Sequence, residues 1–134
     1  MITVQAIDHV VLRTSDLQAM LRFYCDVLNC SPERELKDLG LVQLRAGDAL
    51  IDIVPVDSEL GRVGGRPPSQ DGRNMDHVCL RIGRMDEAEL AGYLSGHGVA
   101  VQEFADRYGA QGHGRSLYIE DPEGNTVELK FAVE

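Results

Sequence analysis

Long apolar runs are missing from this chain: none approaches the roughly 20 residues that a membrane-spanning helix requires. Its 43% hydrophobic content is ordinary for a globular domain, and no membrane partner is expected. Basic clusters are missing too. The 13 basic residues form no run or stripe and face 22 acidic ones, for a formal charge of −9. That balance repels phosphate backbones and excludes nucleic acid as a partner. Cysteine is scarce: Cys25, Cys30 and Cys79 cannot all pair with one another, and none belongs to a C-x-x-C pattern. A disulfide framework and a zinc or redox dithiol are therefore excluded, and the three are expected to be buried free thiols. Met1 to Gln5 lack the basic-then-apolar pattern of a secretory leader, so the expected location is cytoplasmic.

What the chain does contain is an internal repeat. Its 134 residues suit one domain. Within it, Ile7-Asp8-His9-Val10-Val11-Leu12-Arg13 recurs as Met75-Asp76-His77-Val78-Cys79-Leu80-Arg81, at an offset of 68 residues (9 to 77). A helix is predicted after each copy. In the first, Ser15 and Gln18 form a capping box, Leu17, Met20, Leu21, Tyr24, Val27 and Leu28 fall on one face, and Asn29 supplies a left-handed stop. In the second, Asp86, Glu87 and Glu89 crowd the first turn, Leu90 and Leu94 make the apolar stripe, and Gly98 follows the last turn. Strands are predicted over 41–45 and 49–56 in the first half, and over 99–104, 116–120 and 126–133 in the second. Turn sequences Ala46-Gly47-Asp48 and Asp121-Pro122-Glu123-Gly124-Asn125 end each half in a hairpin. The expected organisation is module 1 over 4–56, a Gly/Pro-rich exposed linker over 57–73 and module 2 over 74–133, each module reading β-α-β-β-β.

Side chains alternate along a strand, so His9 shares a face with Val11 and Arg13, and His77 with Cys79 and Arg81. On the last strand of each half, Asp52 stands alone between Ile51 and Ile53, and Glu128 between Val127 and Leu129. A carboxylate on an apolar strand is costly unless it meets a cation. Two imidazoles and two carboxylates at repeat-equivalent positions make a ligand set for one divalent metal, Zn, Ni, Mn or Fe(II), with coordination positions left open for substrate. His97 and His113 have no repeat mate and read as surface residues, although His113 lies in the stretch Gly109 to Gly114, which can form a substrate loop.

These segments, with Phe23-Tyr24-Cys25-Asp26-Val27-Leu28 and Glu120-Asp121-Pro122-Glu123-Gly124-Asn125-Thr126-Val127-Glu128-Leu129, resemble the vicinal oxygen chelate superfamily, which contains glyoxalases, bleomycin resistance proteins and extradiol dioxygenases. The resemblance covers nearly the whole chain and is nearest to glyoxalase I. It implies an α+β fold, two tandem β-α-β-β-β modules forming a curved mixed sheet around a metal held by His9, Asp52, His77 and Glu128. It also implies that Glu128 acts as general base, moving a proton between adjacent carbons of a hemithioacetal. Arg13 inherits a role in binding a substrate carboxylate, and Arg81 is its symmetry mate for an anionic or thiol-adduct substrate.

The implied activity is a metal-dependent lyase or isomerase. Two departures keep alternatives open: Asp52 stands where glyoxalase I has the longer Glu, and Val54-Pro55-Val56-Asp57 replaces an Asn-containing segment. If Asp52 falls short of the metal, two His and Glu128 make the facial triad of an Fe(II) dioxygenase, with Tyr118 as its acid-base helper. A ligand-sequestering module is the third reading. One module covers half of such a site, so a homodimer that exchanges halves is expected, with closure within one chain as the other possibility.

Overall fold

The computed structural model describes residues 1–133, which fall into two compact units, Met1–Asn74 and Met75 onward. Each is built on one four-stranded mixed sheet. The first contains β1 (His9–Thr14), α1 (Leu17–Leu21), β2 (Ser31–Leu36), β3 (Leu41–Ala46), β4 (Ala49–Pro55) and the short α2 (Glu59–Arg62). The second contains β5 (His77–Ile82), α3 (Glu87–Gly96), β6 (Ala105–Gly109), β7 (Gly112–Glu120) and β8 (Thr126–Phe131). Strand orders are β1-β4-β3-β2 and β5-β8-β7-β6, so each half is a β-α-β-β-β module, as the repeat predicts.

In each sheet the first strand pairs in parallel with the last. Val11 lies opposite Asp52 and Cys79 opposite Glu128. The two remaining ladders of each sheet are antiparallel. One face of each sheet is apolar and packs the core: Leu12, Leu44, Ile51 and Ile53 with Met20, Phe23 and Tyr24 in the first unit, and Leu117, Ile119, Val127 and Leu129 with Leu90 and Leu94 in the second.

Several local expectations are corrected. The first helix is capped by Asp16, not Ser15: the Asp16 carboxylate accepts from Ala19 N–H at 3.1 Å, and its own N–H donates to Thr14 Oγ at 2.9 Å. After Leu21 the helix widens to π-type turns over Arg22–Val27, with Leu28 N–H donating to the Phe23 carbonyl at 3.0 Å. The wider turn carries Phe23 into the core beside Tyr24, off the stripe that a 3.6-residue period marks. Asn29 does adopt the left-handed conformation expected of it, with φ 63°.

Strand β2 was not foreseen because its sequence, Ser31 to Leu36, is polar and mostly exposed. It is an edge strand whose ladder shifts register between Pro32 and Arg34, a place where proline's missing N–H costs nothing. In the second unit 99–104 is not a strand; pairing begins at Ala105. The Gly109–Gly114 stretch, which can form a substrate loop by its sequence, instead closes the β6–β7 hairpin: Gly109 to Gly112 make its tight turn, with Gly112 at φ 95°, and His113 and Gly114 lie on β7. Of the three thiols only Cys25 and Cys30 are half-buried; Cys79 is exposed on the polar face of β5.

Residues 57–73 are mostly exposed, as expected of a linker, but they are held to the first sheet. Ser58 caps α2, Gly61 is buried so close to the Pro55 carbonyl that no Cβ fits, and Ser69 and Gly72 close a bridge. Asn74 lies along the free edge of β1: its side chain accepts from Arg13 N–H at 3.1 Å and donates to the Arg13 carbonyl at 3.0 Å.

Candidate functional site

Parallel pairing of the first strand of each module with the last places a histidine and an acid on the same, polar face of each sheet. In the first unit His9 comes from β1 and Asp52 from β4. His9 Nδ1 lies 2.7 Å from Asp8 Oδ1, and its Nε2 is 3.9 Å from Asp52 Oδ2. Asp52 is 3% exposed, and both of its oxygens are 3.2 Å from the Gln43 side-chain amide. The hydrogen bond to Asp8, followed by the charge of Asp52, raises the His9 pKa above its usual 6.5.

The second unit repeats the arrangement more tightly. His77 Nδ1 is 2.6 Å from Asp76 Oδ2, and His77 Nε2 is 3.3 Å from Glu128 Oε1. Glu128 is 6% exposed, and its Oε2 accepts from Ser116 Oγ at 2.7 Å. The direction of that bond follows from its neighbour. Arg107 donates to the Ser116 carbonyl at 2.7 Å and to Ser116 Oγ at 3.0 Å, which leaves the hydroxyl proton for Glu128. The Arg107 guanidinium also covers the Tyr118 ring at 4.3 Å, and Tyr118 meets His77 edge-on at 5.5 Å between ring centroids.

In both units an adjacent aspartate engages one ring nitrogen and leaves the other facing a buried carboxylate. Metal-binding histidines are held in this way, with the second nitrogen on a carboxylate. Imidazole nitrogen with carboxylate oxygen is also a donor set that Zn, Ni, Mn and Fe(II) accept, so the residues present fit a divalent metal. Each unit supplies one such pair, and among the described residues no group of three or more His, Cys, Asp or Glu side chains stands together as a metal cluster.

The arginines expected to bind substrate are placed differently from each other. Arg13 does not offer its guanidinium to the His9–Asp52 pair. It donates to the carbonyls of Gly61 at 3.0 Å, Gly65 at 2.7 Å and Arg66 at 2.9 Å, and packs against Gly64, where a Cβ would collide with it. Its work in this structure is to fasten the 61–66 segment. Arg81 is exposed on β5, on the face of His77 and Cys79. Tyr118 lies beside Glu128 in register.

Four residues of these faces escaped the sequence reading: Gln43, Ser116, Arg107 and Lys130. Gln43, Ser116 and Lys130 had a detectable signal, since each keeps period-two step with an assigned residue on its own strand or on its hairpin partner. Arg107 had none, because the strand expected over 99–104 lies instead over Ala105–Gly109.

The family model described as Glyoxalase/Bleomycin resistance protein/Dioxygenase superfamily matches residues 6–129, nearly the whole chain and both modules. The chain belongs to this superfamily. Solved structures agree with the glyoxalase fold described above. A virulence protein of Salmonella typhimurium superposes with a TM-score of 0.77 at 25% identity, covering 98% of this chain and 100% of its own. A lactoylglutathione lyase of Agrobacterium tumefaciens gives 0.65 at 22% identity, with 96% and 95% covered. A fosfomycin resistance protein of Mesorhizobium loti gives 0.68 at 18% identity, with 98% and 95% covered. The last two likenesses establish the glyoxalase-type fold of this chain.

Proposed function

We propose that this glyoxalase-superfamily protein is a metal-dependent lyase or isomerase acting on a small oxygen-chelating substrate such as a hemithioacetal. The observation that carries the reading is the repeated histidine–carboxylate pair, His9–Asp52 and His77–Glu128, each histidine tethered by the aspartate before it. In this reading all four side chains hold one divalent cation, Ni, Zn or Mn, and the two modules close on it across a homodimer. A bound cation would act as a Lewis acid, drawing electron density from the substrate's vicinal oxygens.

The chain's own residues supply the proton chemistry. Glu128 removes a proton from one substrate carbon and returns it to the neighbouring carbon. Ser116 holds Oε2 of Glu128, so that Oε1, the oxygen facing His77, is the one that moves the proton. Tyr118, covered by Arg107, lies beside Glu128 on the same face, and Arg81 attracts an anionic substrate. A cytoplasmic location belongs to this proposal; among the described residues no helix is long and apolar enough to cross a membrane.

One observation favours a second reading. Gln43 occupies both Asp52 oxygens, and Asp52 is 3.9 Å from His9 where Glu128 is 3.3 Å from His77. If Asp52 stays with Gln43, the ligands reduce to His9, His77 and Glu128, which suits Fe(II) and dioxygenase chemistry.

Metal content per chain, measured after purification under nitrogen without chelators and beside a His77→Ala control, separates the readings. About one Ni, Zn or Mn per chain, lost in the variant, together with turnover of a hemithioacetal, is the expected result. About one Fe(II) per chain selects the dioxygenase. No metal, even after reloading, overturns both and leaves a ligand-sequestering module.

A further inference from the structure

Two residues beyond Glu128 on β8 lies Lys130, which the proposed chemistry does not use. It is 6% exposed, and lysine is almost never so buried without a partner. Among the described residues no hydrogen bond or ion pair meets its ammonium, although the chain carries 22 acidic residues to 13 basic ones. The fold makes room for it nonetheless. Its side chain lies over the β6–β7 hairpin at two positions that have no Cβ: one built on Gly114 would come within 2.7 Å of Nζ, and one on Gly109 within 3.1 Å of Cε.

The surroundings concentrate positive charge. Arg81 of β5 and Ser116 of β7 are the cross-strand partners of Lys130, and Ser116 in turn holds Arg107. Three cations thus share the sheet face on which Glu128 is the buried acid, in a protein whose formal charge is −9. A lysine so buried, with no partner among the described residues and Arg81 beside it in register, is stabilised by an anion brought from outside.

We propose that Lys130, assisted by Arg81, is the binding site for an anionic oxygen group of the substrate, a carboxylate, phosphonate or phosphate. Strand rise sets the Lys130 row about 7 Å from the Glu128 row, and Nζ lies over Gly114, one row further on, so the substrate is an acid whose reacting carbons sit at Glu128 and whose anionic end reaches past the Lys130 row. The inference rests on the reading of Glu128 and His77 as the reaction centre for its substrate, but the anion site can be tested apart from it.

The test is a titration of metal-free protein with inorganic phosphate at low ionic strength, followed by amide NMR shifts, in wild type, Lys130→Met, Lys130→Gln and Arg81→Met. Saturable shifts centred on Gly109, Gly114 and Ser116 are expected. Affinity should fall by roughly tenfold or more in both Lys130 variants and by less in Arg81→Met. The glutamine variant covers the case in which the methionine variant fails to fold. Unchanged phosphate affinity in the Lys130 variants, or shifts centred elsewhere, overturns the proposal. Because the titration needs no metal, a protein that binds phosphate through Lys130 yet takes up no cation would sink the lyase reading alone. One that loads metal but ignores Lys130 would sink only the anion site.

Discussion

At the scale of single residues, the polar faces are organised by pairs rather than by isolated ligands. His9 shows this best. Its imidazolium is favoured first by the Asp8 hydrogen bond and then by the charge of Asp52, so its folded pKa lies above 6.5. A raised pKa contributes stability that is complete below the unfolded value and is lost as pH rises through the folded one. Histidine NMR titration of metal-free protein should therefore place the His9 midpoint above 6.5, and Asp8→Asn should bring it down. A midpoint unmoved by that substitution would show that Asp8 does not hold the ring. The same scale explains why the sequence reading went astray at Arg13. Period and resemblance put its side chain on the polar face correctly, but neither can foresee that the carbonyls of Gly61, Gly65 and Arg66 would come within reach of the guanidinium. Those bonds depend on how the 57–73 segment folds back, which no local pattern encodes.

At the scale of elements, caps and turns hold the strands that present the site. Asp16 accepts the Ala19 N–H at the start of α1, so Asp16→Ala should cost about 1 kcal/mol in denaturant melts while Ser15→Ala costs less, the opposite of what a Ser15 capping box predicts. The turn before β8 is more demanding. Asp121, 4% exposed, accepts from Glu123 N–H at 2.9 Å, Asn125 N–H at 2.9 Å and the Asn125 side chain at 2.8 Å. Asp121→Ala should lower stability by about 2–4 kcal/mol, and a change within error in urea unfolding would refute the role given to this turn. Elements with strong periodicity or strong turn chemistry were legible in advance: β1, β4, β5, β8, α3 and the hairpin turns at Gly47 and Gly124. Strand β2 was not, because an edge strand needs no apolar alternation, nor was the π-type continuation of α1, whose register is set by what Phe23 and Tyr24 pack against.

At the scale of the whole molecule, the proposed metal joins the two halves of the repeat. If one cation takes His9 and Asp52 with His77 and Glu128, its binding adds to the unfolding free energy by mass action, about 2.7 kcal/mol at a hundredfold excess over Kd. Thermal melts with Zn, Ni or Mn should show a raised midpoint, and either His9→Ala or His77→Ala should abolish most of the rise. A variant that retains half of it would indicate separate sites in the two modules and overturn the shared centre.

What the sequence by itself determined is the repeat, and with it the two β-α-β-β-β modules and the equivalence of His9 with His77 and of Asp52 with Glu128. Strand periodicity and repetition are local properties that survive without knowledge of the partner strand. Tertiary structure alone decided that Arg13 fastens a loop, that Ser116 and Arg107 aim the Glu128 carboxylate, and that Lys130 lies unpaired over two glycines. These depend on which strands become neighbours and in what register, and hydrogen-bond partners far apart in the chain are chosen only when the sheet closes.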